Sequence, residues 1–518
     1  MSQMKTELLL TKTISMLHIC EASCDGSHVF VFYLATTSKY SGKYLFSTSY
    51  LVYVIGSLNW ISFSNGFVYG QVAGLINSLQ KQEGGIHLSE GQISLIASTM
   101  TIMNLFGTAL SAIITDKLGR RWPFILFSIP LMMNWILLYY ATELHHFVLS
   151  RIIGGISVGA LVTLNIFVTS EYTSPKTRAF YLNMVTTLAP ALGTSLGHGI
   201  GIFLHWRTSA IIGIFPCALG ILLPYFWEES PHWLASKGRF EECRESFGRL
   251  HTRTPNSDRE LKLLVEMEKS KLDLLSKSNS VSTLKRLSRV LKRKYFWDVF
   301  VLSIFIHAYL AAAGKLVFSI LATVILEEIT GTPDVLLYTL FVDGFIVIGS
   351  FMSCLLIRKT SMRTLLFSTG FTANAILILF TLCFYFRNGQ SYSNWINVGL
   401  LALYFITINA GPYPLLEAIY SEMFPLELKV YIFTLSAVVL ITALTLSIIL
   451  LPFIVSCVGY HGLFLMNTAI MSVSLVYIWW RLPETKGKTL QEVEVYFKTN
   501  NFNVEEVLTC NEQTKALI

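Results

Sequence analysis

Charged residues are scarce in this sequence of 518 residues. Asp, Glu, Lys and Arg make up 14% of it, and 53% is hydrophobic, whereas soluble domains carry roughly 25% charged residues. The deficit comes from uncharged stretches of about 20 to 28 residues, long enough for a helix to cross a bilayer. They are far longer than the roughly 10-residue alternating strands of a membrane barrel. The composition therefore excludes a soluble globular protein and predicts an all-α membrane protein.

Motifs for catalysis, metal binding and secretion are also missing. Eight cysteines are scattered along the chain, and Cys20 and Cys24 have no neighbouring His or Cys to complete a metal site. No N-x-[S/T] sequon occurs. The apolar run 29–35 is too short and too far from the N-terminus for a signal peptide. Without a nucleophile–base pair, metal cluster or phosphate loop, we predict no enzyme, no catalytic residue, no metal, no cofactor and no nucleic-acid partner.

Twelve hydrophobic spans are present, six on each side of a long polar segment. The predicted spans are 50–76, 91–115, 122–142, 147–170, 180–204, 209–228, 298–326, 335–357, 364–386, 396–424, 431–456 and 461–482. An even number places both termini on one side of the membrane. We predict a cytoplasmic tail 1–48, a six-helix half 49–228, a cytoplasmic helical loop 229–297, a second six-helix half 298–482 and a tail 483–518.

The basic residues give the orientation. Short loops on one side carry Lys117, Arg120, Arg121, Lys176, Arg178, Arg358, Lys359, Arg363 and Lys429. The other side carries Lys81, Arg207 and Arg387. Since cytoplasmic loops are enriched in Lys and Arg, the richer side, both termini and the basic central loop are predicted to be inside. Within that loop, 231–250, 260–275 and 283–294 have the apolar spacing of amphipathic helices.

Six charged segments fall at the predicted inner helix ends. They are DKLGRR at 116–121, RIIGGISVGA at 151–160, EYTSPKTR at 171–178, EESPHWLASKGR at 228–239, EMFPLELK at 422–429 and PETKGKTLQEVE at 483–494. In this order and at these places they resemble the signatures of the sugar porter family of the major facilitator superfamily. The likeness covers about residues 50–497 and is greatest to the insect trehalose and glucose facilitators. It implies the major facilitator fold, two pseudo-symmetric six-helix halves.

The resemblance also implies an inner gate of ion pairs. Its residues are Asp116, Arg120, Arg121, Glu171, Arg178, Glu422, Lys429 and Glu484. We expect Glu171, Arg178 and Arg121 to pair within the first half, and Glu422, Lys429 and Glu484 within the second. Ordinary topology-fixing charge remains the alternative. The second half should have the weaker latch, because Arg358 replaces the family's acid and Lys429 lacks the bidentate geometry of arginine.

Substrate sites of this fold lie at the midplane between the halves. A sugar there needs amide and hydroxyl partners and an aromatic face. The predicted substrate-binding residues are Asn65, Tyr69, Gln71, Thr187, Lys315, Tyr413 and Glu417. Val68 stands where proton-coupled members of the family carry Asp, which disfavours proton symport by that route.

Two positions depart from the family pattern. Lys315 occupies the place of the sugar-binding asparagine in span 7. In span 10 the stacking tryptophan is absent: counting back from Glu422 puts Glu417 there, and counting forward from Gly411 puts Leu415 there. An unpaired charge in an apolar span costs several kcal/mol. We therefore predict that Lys315 pairs with Glu417 across the cavity, with Asp343 as the competing partner.

The predicted function is facilitated diffusion of a hexose or trehalose-like sugar across the plasma membrane. A monomeric uniporter would do this by rocker-switch alternating access. A non-transporting solute sensor, a degenerate transporter and a carrier of a charged small solute remain alternatives, because the pocket departs from the family. His198 and His307 lie in spans 5 and 7 without a surrounding motif and are predicted to be hydrogen-bonded packing residues.

Overall fold

A computed structural model describes most of the chain between residues 42 and 502. The described ranges are 42–82, 85–251, 254–277, 292, 294–332, 335–386, 391–424 and 429–502. Residues 1–41 and 503–518 of the predicted tails, and most of the predicted helix 283–294, therefore lie outside the described residues. Within these ranges the regular secondary structure is helical throughout.

The first half of the chain forms helices that alternate in direction through short connections. They are α1 (Gly42–Gln80), α2 (Glu90–Leu118), α3 (Arg121–Tyr140), α4 (Leu144–Tyr172), α5 (Arg178–Asn183), α6 (Ala189–Phe203) and α7 (Trp206–Leu222). A π-helical turn, Met184–Leu188, joins α5 to α6 into one span, and a 3₁₀ turn, Leu223–Phe226, extends α7. We call α1 to α7 the N-half.

The second half repeats this pattern with more interruptions. Its helices are α11 (Lys294–Ala312), α12 (Lys315–Thr330), α13 (Leu336–Lys359), α14 (Met362–Tyr385), α15 (Ser391–Ala410), α16 (Pro412–Glu422) and α17 (Lys429–Arg481). A left-handed Gly314 separates α11 from α12, Gly411 separates α15 from α16, and a left-handed Gly459 kinks α17. We call α11 to α17 the C-half.

Among the described residues, eleven helices are long and apolar enough to cross a membrane. The predicted span 180–204 is the remaining one, because the π-helical turn divides it into α5 and α6. Predicted and observed helix bounds agree to within a few residues. The exception is span 1, whose helix begins at Gly42, eight residues before the predicted 50. Twelve spans in two groups of six therefore fit the structure.

Small residues let the helices approach closely. A methyl group added at Gly66 of α1 would overlap the carbonyl of Pro190 in α6, and one at Gly107 of α2 would overlap the carbonyl of Ile156 in α4. Such contacts replace the hydrophobic drive that helices lack in lipid. The N-half is thereby a tightly packed bundle.

In the described part of the chain, three loop helices and a helix near the C-terminus lie outside the spans. They are α8 (Pro231–Ser236), α9 (Phe240–Leu250), α10 (Pro255–Lys277) and α18 (Leu490–Thr499). The predicted helix 231–250 is broken at Gly238, which has a left-handed φ of 76°. Buried apolar side chains of α8, α9 and α10 form a small separate core, and Leu263 of α10 packs against Val495 of α18. We call the end of the bundle next to these helices the loop end, and the opposite end the far end.

The two halves meet along two long seams. In one, α2 of the N-half packs against α17 of the C-half; in the other, α6 packs against α13. The π-helical turn and α16 also touch near the middle of the bundle. Side chains from both halves therefore converge between these seams.

Candidate functional site

A buried polar cluster lies where the halves meet. From the N-half, α1 contributes Tyr69, whose hydroxyl accepts a hydrogen bond of 2.8 Å from Asn104 Nδ2 of α2. From the C-half, two broken helices contribute a cation and an aromatic ring. Lys315 is the first residue of α12, and its Nζ lies 4.2 Å from the ring centroid of Tyr413 in α16. This cation–π contact stabilises an ammonium group that burial would otherwise penalise.

Glu417 follows Tyr413 by one helical turn and extends the cluster to the N-half. The hydroxyls of Thr186 and Thr187 lie beside its carboxylate, and Lys315 attracts it electrostatically. Both threonines belong to the π-helical turn, a feature often found at functional sites. The carboxylate atom Oε2 is buried and has no hydrogen-bond partner among the described residues. Its capacity to accept a hydrogen bond is therefore unused in this structure.

The predicted direct ion pair between Lys315 and Glu417 is not formed. Within the described part of the chain, no nitrogen–oxygen contact under 4.0 Å joins them, although their charges interact. The competing pair with Asp343 is also wrong, because that carboxylate binds His198. In span 10, Glu417 faces the cluster whereas Leu415 is fully buried in the apolar core, which settles the register that the sequence left open.

Two of the predicted binding residues lie apart from these contacts. Gln71 of α1 is buried, and its Oε1 accepts a 3.2 Å hydrogen bond from Arg151 Nη2 of α4. Asn65 is also buried, and both polar atoms of its amide lack a partner among the described groups. The structure thus brings Tyr69, Thr187 and the three C-half residues together and places Gln71 in a separate contact.

At the loop end, the N-half is closed by a buried bidentate ion pair. Arg120 Nε and Nη2 donate to the two carboxylate oxygens of Glu171 at 2.9 and 2.8 Å. Ser230 Oγ donates to the same carboxylate at 2.7 Å. The expected partners of Glu171 were Arg178 and Arg121, so that pairing is wrong. Arg121 instead donates from Nη1 to the Trp227 carbonyl at 3.2 Å.

Arg178 joins the two halves instead of closing one of them. Its side chain is fully buried, and Nη1 lies 3.6 Å from Glu422 Oε1 in the C-half. The same nitrogen donates to the Lys488 carbonyl at 3.3 Å, and Nε donates to the Ser170 carbonyl at 3.1 Å. Nη2 lies 4.0 Å from Glu260 of the loop helix α10. One arginine thus links both halves, the loop helices and the segment before α18.

The C-half is closed mainly through backbone groups. Glu484 accepts hydrogen bonds from the backbone amides of Met362 and Arg363 at 3.3 and 3.1 Å. The Arg358 guanidinium lies over the Phe180 ring of α5, 3.9 Å from its centroid. The predicted grouping of Glu422 with Glu484 is not observed, because Glu422 faces Arg178 and Glu484 binds the Met362 and Arg363 amides. The pairing of Glu422 with Lys429 stays a prediction, because the Lys429 side chain lies outside the described residues.

The remaining predicted gate residue is the most exposed. Asp116 Oδ1 lies 3.4 Å from Lys237 Nζ, and both side chains are about two-fifths exposed. Exposed pairs of this kind contribute little stability because solvent screens them. Asp116 therefore ties α2 to the end of α8 only loosely.

Burial perturbs several described ionisable groups outside the spans, among them two carboxyl groups and a histidine. Desolvation raises the pKa of Glu260 to about 7, because the attraction of Arg178 at 4.0 Å is too weak to offset it. Burial likewise raises the pKa of Glu229, although backbone amides donate to that carboxylate. Burial lowers the pKa of His251 to about 3. Glu260 can therefore change its charge near neutral pH.

A second contact between the halves lies toward the far end and was missed by the sequence reasoning. His198 Nδ1 of α6 lies 2.7 Å from Asp343 Oδ2 of α13, and Nε2 lies 2.9 Å from the Ser319 carbonyl of α12. The described side chains of His198 and Asp343 are almost fully buried. The signal in the sequence was Asp343, a single acidic residue in an otherwise apolar span, but it did not identify His198 as its partner.

Twelve spans in two groups, a polar cluster between the groups and charged contacts at one end define a multi-pass membrane transporter. The family model described as "Sugar (and other) transporter" matches residues 35–497. The chain therefore belongs to the sugar transporter family, which confirms the predicted resemblance to the sugar porters. Members of this family are transporters, and the chain is a transporter, not an enzyme.

Curated relatives match most of the chain at low identity. "Sugar transporter ERD6-like 6" of Arabidopsis thaliana is 26% identical over 449 residues, covering 84% of this chain and 87% of that protein. "Facilitated trehalose transporter Tret1" of Culex quinquefasciatus is 24% identical over 419 residues, covering 77% and 76%. These lengths show that the likeness extends over both halves.

A solved structure confirms the major facilitator fold. The proton:xylose symporter XylE bound to 6-bromo-6-deoxy-D-glucose superposes with a TM-score of 0.74 at 17% identity. The match covers 87% of this chain and 99% of that one. At this identity the likeness establishes the fold alone.

Proposed function

We propose that this protein carries a hexose or trehalose-like sugar by facilitated diffusion through the polar cluster between its halves. The observation that carries the proposal is the partnerless Oε2 of Glu417, buried beside Thr187, Lys315 and Tyr413. A sugar hydroxyl can donate to a carboxylate oxygen and accept from an ammonium group at the same time. The Tyr413 and Tyr69 rings supply the aromatic surface that a sugar's C–H face needs.

Alternating access accounts for the contacts at both ends. Arg178–Glu422 at the loop end and His198–Asp343 toward the far end each join the halves. One contact lies on each side of the cluster along the bundle. Separation of one contact while the other holds would expose the cluster to one side at a time, the rocking motion of this fold.

The proposed setting is the plasma membrane, with both termini in the cytoplasm. The basic short loops support a cytoplasmic loop end by the positive-inside rule. The proposed domain order is a cytoplasmic tail, a first six-helix domain at 49–228, a cytoplasmic helical loop at 229–297, a second six-helix domain at 298–482 and a second tail. The proposed transporting unit is a monomer, since a single chain supplies both halves.

A charged small solute is the second candidate substrate. Lys315 and Glu417 are opposite charges that attract each other without direct contact. A zwitterion could place its carboxylate at Lys315 and its ammonium at Glu417. The trehalose transporters among the relatives favour the sugar.

Uptake into cells that make the protein tests the choice. Labelled glucose, trehalose, a panel of amino acids and a panel of organic acids would be compared with cells carrying an empty vector. Saturable sugar uptake that needs no proton gradient is the expected result. Flux of a zwitterion alone would reassign the substrate, and no flux from surface-localised protein would indicate a sensor or a degenerate transporter.

A further inference from the structure

We propose that His198 and Asp343 form a proton-binding site that must be occupied for the halves to close at the far end. The site joins α6 of the N-half to α13 of the C-half at 2.7 Å. It lies in the last turns of α6 and the second turn of α13, away from the Arg178 contact at the loop end. The inference rests on the alternating-access function proposed above.

The hydrogen-bond geometry determines how many protons the His198–Asp343 site holds. The Ser319 carbonyl has no hydrogen to give, so His198 Nε2 must donate to it across 2.9 Å. If Nδ1 carried no hydrogen and Asp343 were ionised, two acceptors would face each other at 2.7 Å. The site therefore holds one proton more than a neutral histidine plus an ionised aspartate. This additional proton lies on either the imidazole or the carboxyl group.

Among the described residues, His198 has no second charged neighbour that could replace this proton. Asp343 is the charged group that acts on the His198 ring, and the Ser319 carbonyl is its other polar neighbour within the described residues. The helices packed against α6 and α13 are α1, α5, α7, α12, α14 and α15. The other titratable or charged side chains described on these helices and on α13 belong to Tyr50, Tyr53, Tyr69, Arg178, Tyr181, Arg207, Cys217, Lys315, Glu327, Glu328, Tyr338, Cys354, Arg358, Lys359, Arg363, Cys383, Tyr385 and Tyr404. The Lys315 ammonium, the nearest of these along α12, lies over the Tyr413 ring.

Opening of the far end would change this proton count. Once apart and in water, a histidine has a pKa of about 6.5 and an aspartate about 4, so near pH 7.4 both are in their deprotonated forms. Closing then takes up one proton from the solution at the far end. Acidification from pH 8.5 to about 6.5 should favour the closed form by up to about tenfold per pH unit, and by less below that.

Asp343→Asn is the matched variant for a test. Its amide can donate to the bare Nδ1 of a neutral His198, so the same link forms without the additional proton. Gly199→Cys supplies a reporter beside the site, because a Cβ at Gly199 would lie 3.8 Å from Leu340 Cδ2 of α13, an ordinary contact. The reporter should become accessible when α6 and α13 separate. The exposed Cys457 would be replaced by Ser to remove background.

The measurement is the labelling rate of Gly199→Cys by a membrane-impermeant methanethiosulfonate reagent on intact cells between pH 8.5 and 5.5. This rate is divided by the labelling rate of the double variant Gly199→Cys/Asp343→Asn at the same pH. The ratio removes the pH dependence that comes from titration of the reporter thiol itself. We expect the ratio to fall at least fivefold between pH 8.5 and 6.5. A constant ratio would overturn the proposal. His198→Gln, which carries no titratable ring, serves as the comparison if Asp343→Asn fails to reach the surface.

Sugar uptake measured on the same cells separates this inference from the proposed function. A falling ratio without sugar uptake would support the proton site and reject the sugar. Uptake with a constant ratio would support the carrier and reject the site.

Discussion

The N-half and the C-half close their loop ends with different chemistry, although they occupy equivalent places in a two-fold repeated fold. In the N-half, Arg120 and Glu171 form a buried bidentate ion pair. In the C-half, Glu484 binds backbone amides. A buried ion pair is costly to break because each charge depends on the other, whereas a backbone amide leaves no charge behind. The comparison implies that the N-half is rigid at its loop end and that the C-half tolerates substitution of its closing residue better.

The largest effect is expected from Glu171→Gln in the N-half. The substitution leaves the buried Arg120 guanidinium without its counter-charge, which should cost about 3–5 kcal/mol. Thermal unfolding of purified protein in detergent measures it. Asp116→Asn is the control, since its exposed pair with Lys237 should contribute less than about 1 kcal/mol. Equal losses in the two variants would contradict the role of burial.

The next effect in size is expected from Glu260 of the loop helix α10, which lies 4.0 Å from Arg178 of the N-half. Ionisation of this buried carboxyl group should destabilise the folded protein as pH rises. Its pKa is raised to about 7 from 4.5, so the folded protein holds a proton that the unfolded chain has lost between these values. Stability should therefore fall as pH rises from about 4.5 to 7, by roughly 3 kcal/mol in total. Unfolding curves of the wild type and Glu260→Gln across this range should diverge, with the variant less pH-dependent. Parallel curves would show that the carboxyl group is solvated.

Glu422→Gln should alter the contact between the halves without unfolding either of them. Arg178 would keep its bonds to the Ser170 and Lys488 carbonyls, so a shift of about 1–2 kcal/mol toward opening of the loop end is expected. Spin labels at the exposed Lys176 and Lys359 would report it as a longer distance population in pulsed electron resonance. An unchanged distance distribution would mean that Arg178 does not hold the halves together.

Glu484→Gln should have the smallest effect. Met362 donates to Oε1 and Arg363 to Oε2, so the single amide oxygen of Gln keeps one of these hydrogen bonds and the other is lost together with the charge assistance, about 1 kcal/mol. The same detergent unfolding assay applies. A loss as large as that of Glu171→Gln would remove the difference between the halves.

The sequence predicted the spans well because hydropathy and charge act locally. The resemblance also located the ends at which Arg120, Glu171 and Arg178 lie. Their partners could not be predicted, because Arg178–Glu422 and His198–Asp343 join residues far apart in sequence. The orientation of Glu417 depends on the break at Gly411, which sets the register of α16. Local patterns therefore give the elements, and packing of the two halves determines the contacts.

Counterflow of labelled glucose and trehalose in proteoliposomes tests the central claim, that the Lys315–Tyr413–Glu417 cluster carries the sugar. Wild-type protein and Glu417→Gln would be compared at equal, correctly folded amounts. We predict saturable counterflow of at least one sugar by the wild type and a loss of tenfold or more in the variant, because Glu417 Oε2 accepts from the solute. Undiminished counterflow in Glu417→Gln, or none from folded wild type, would contradict the account.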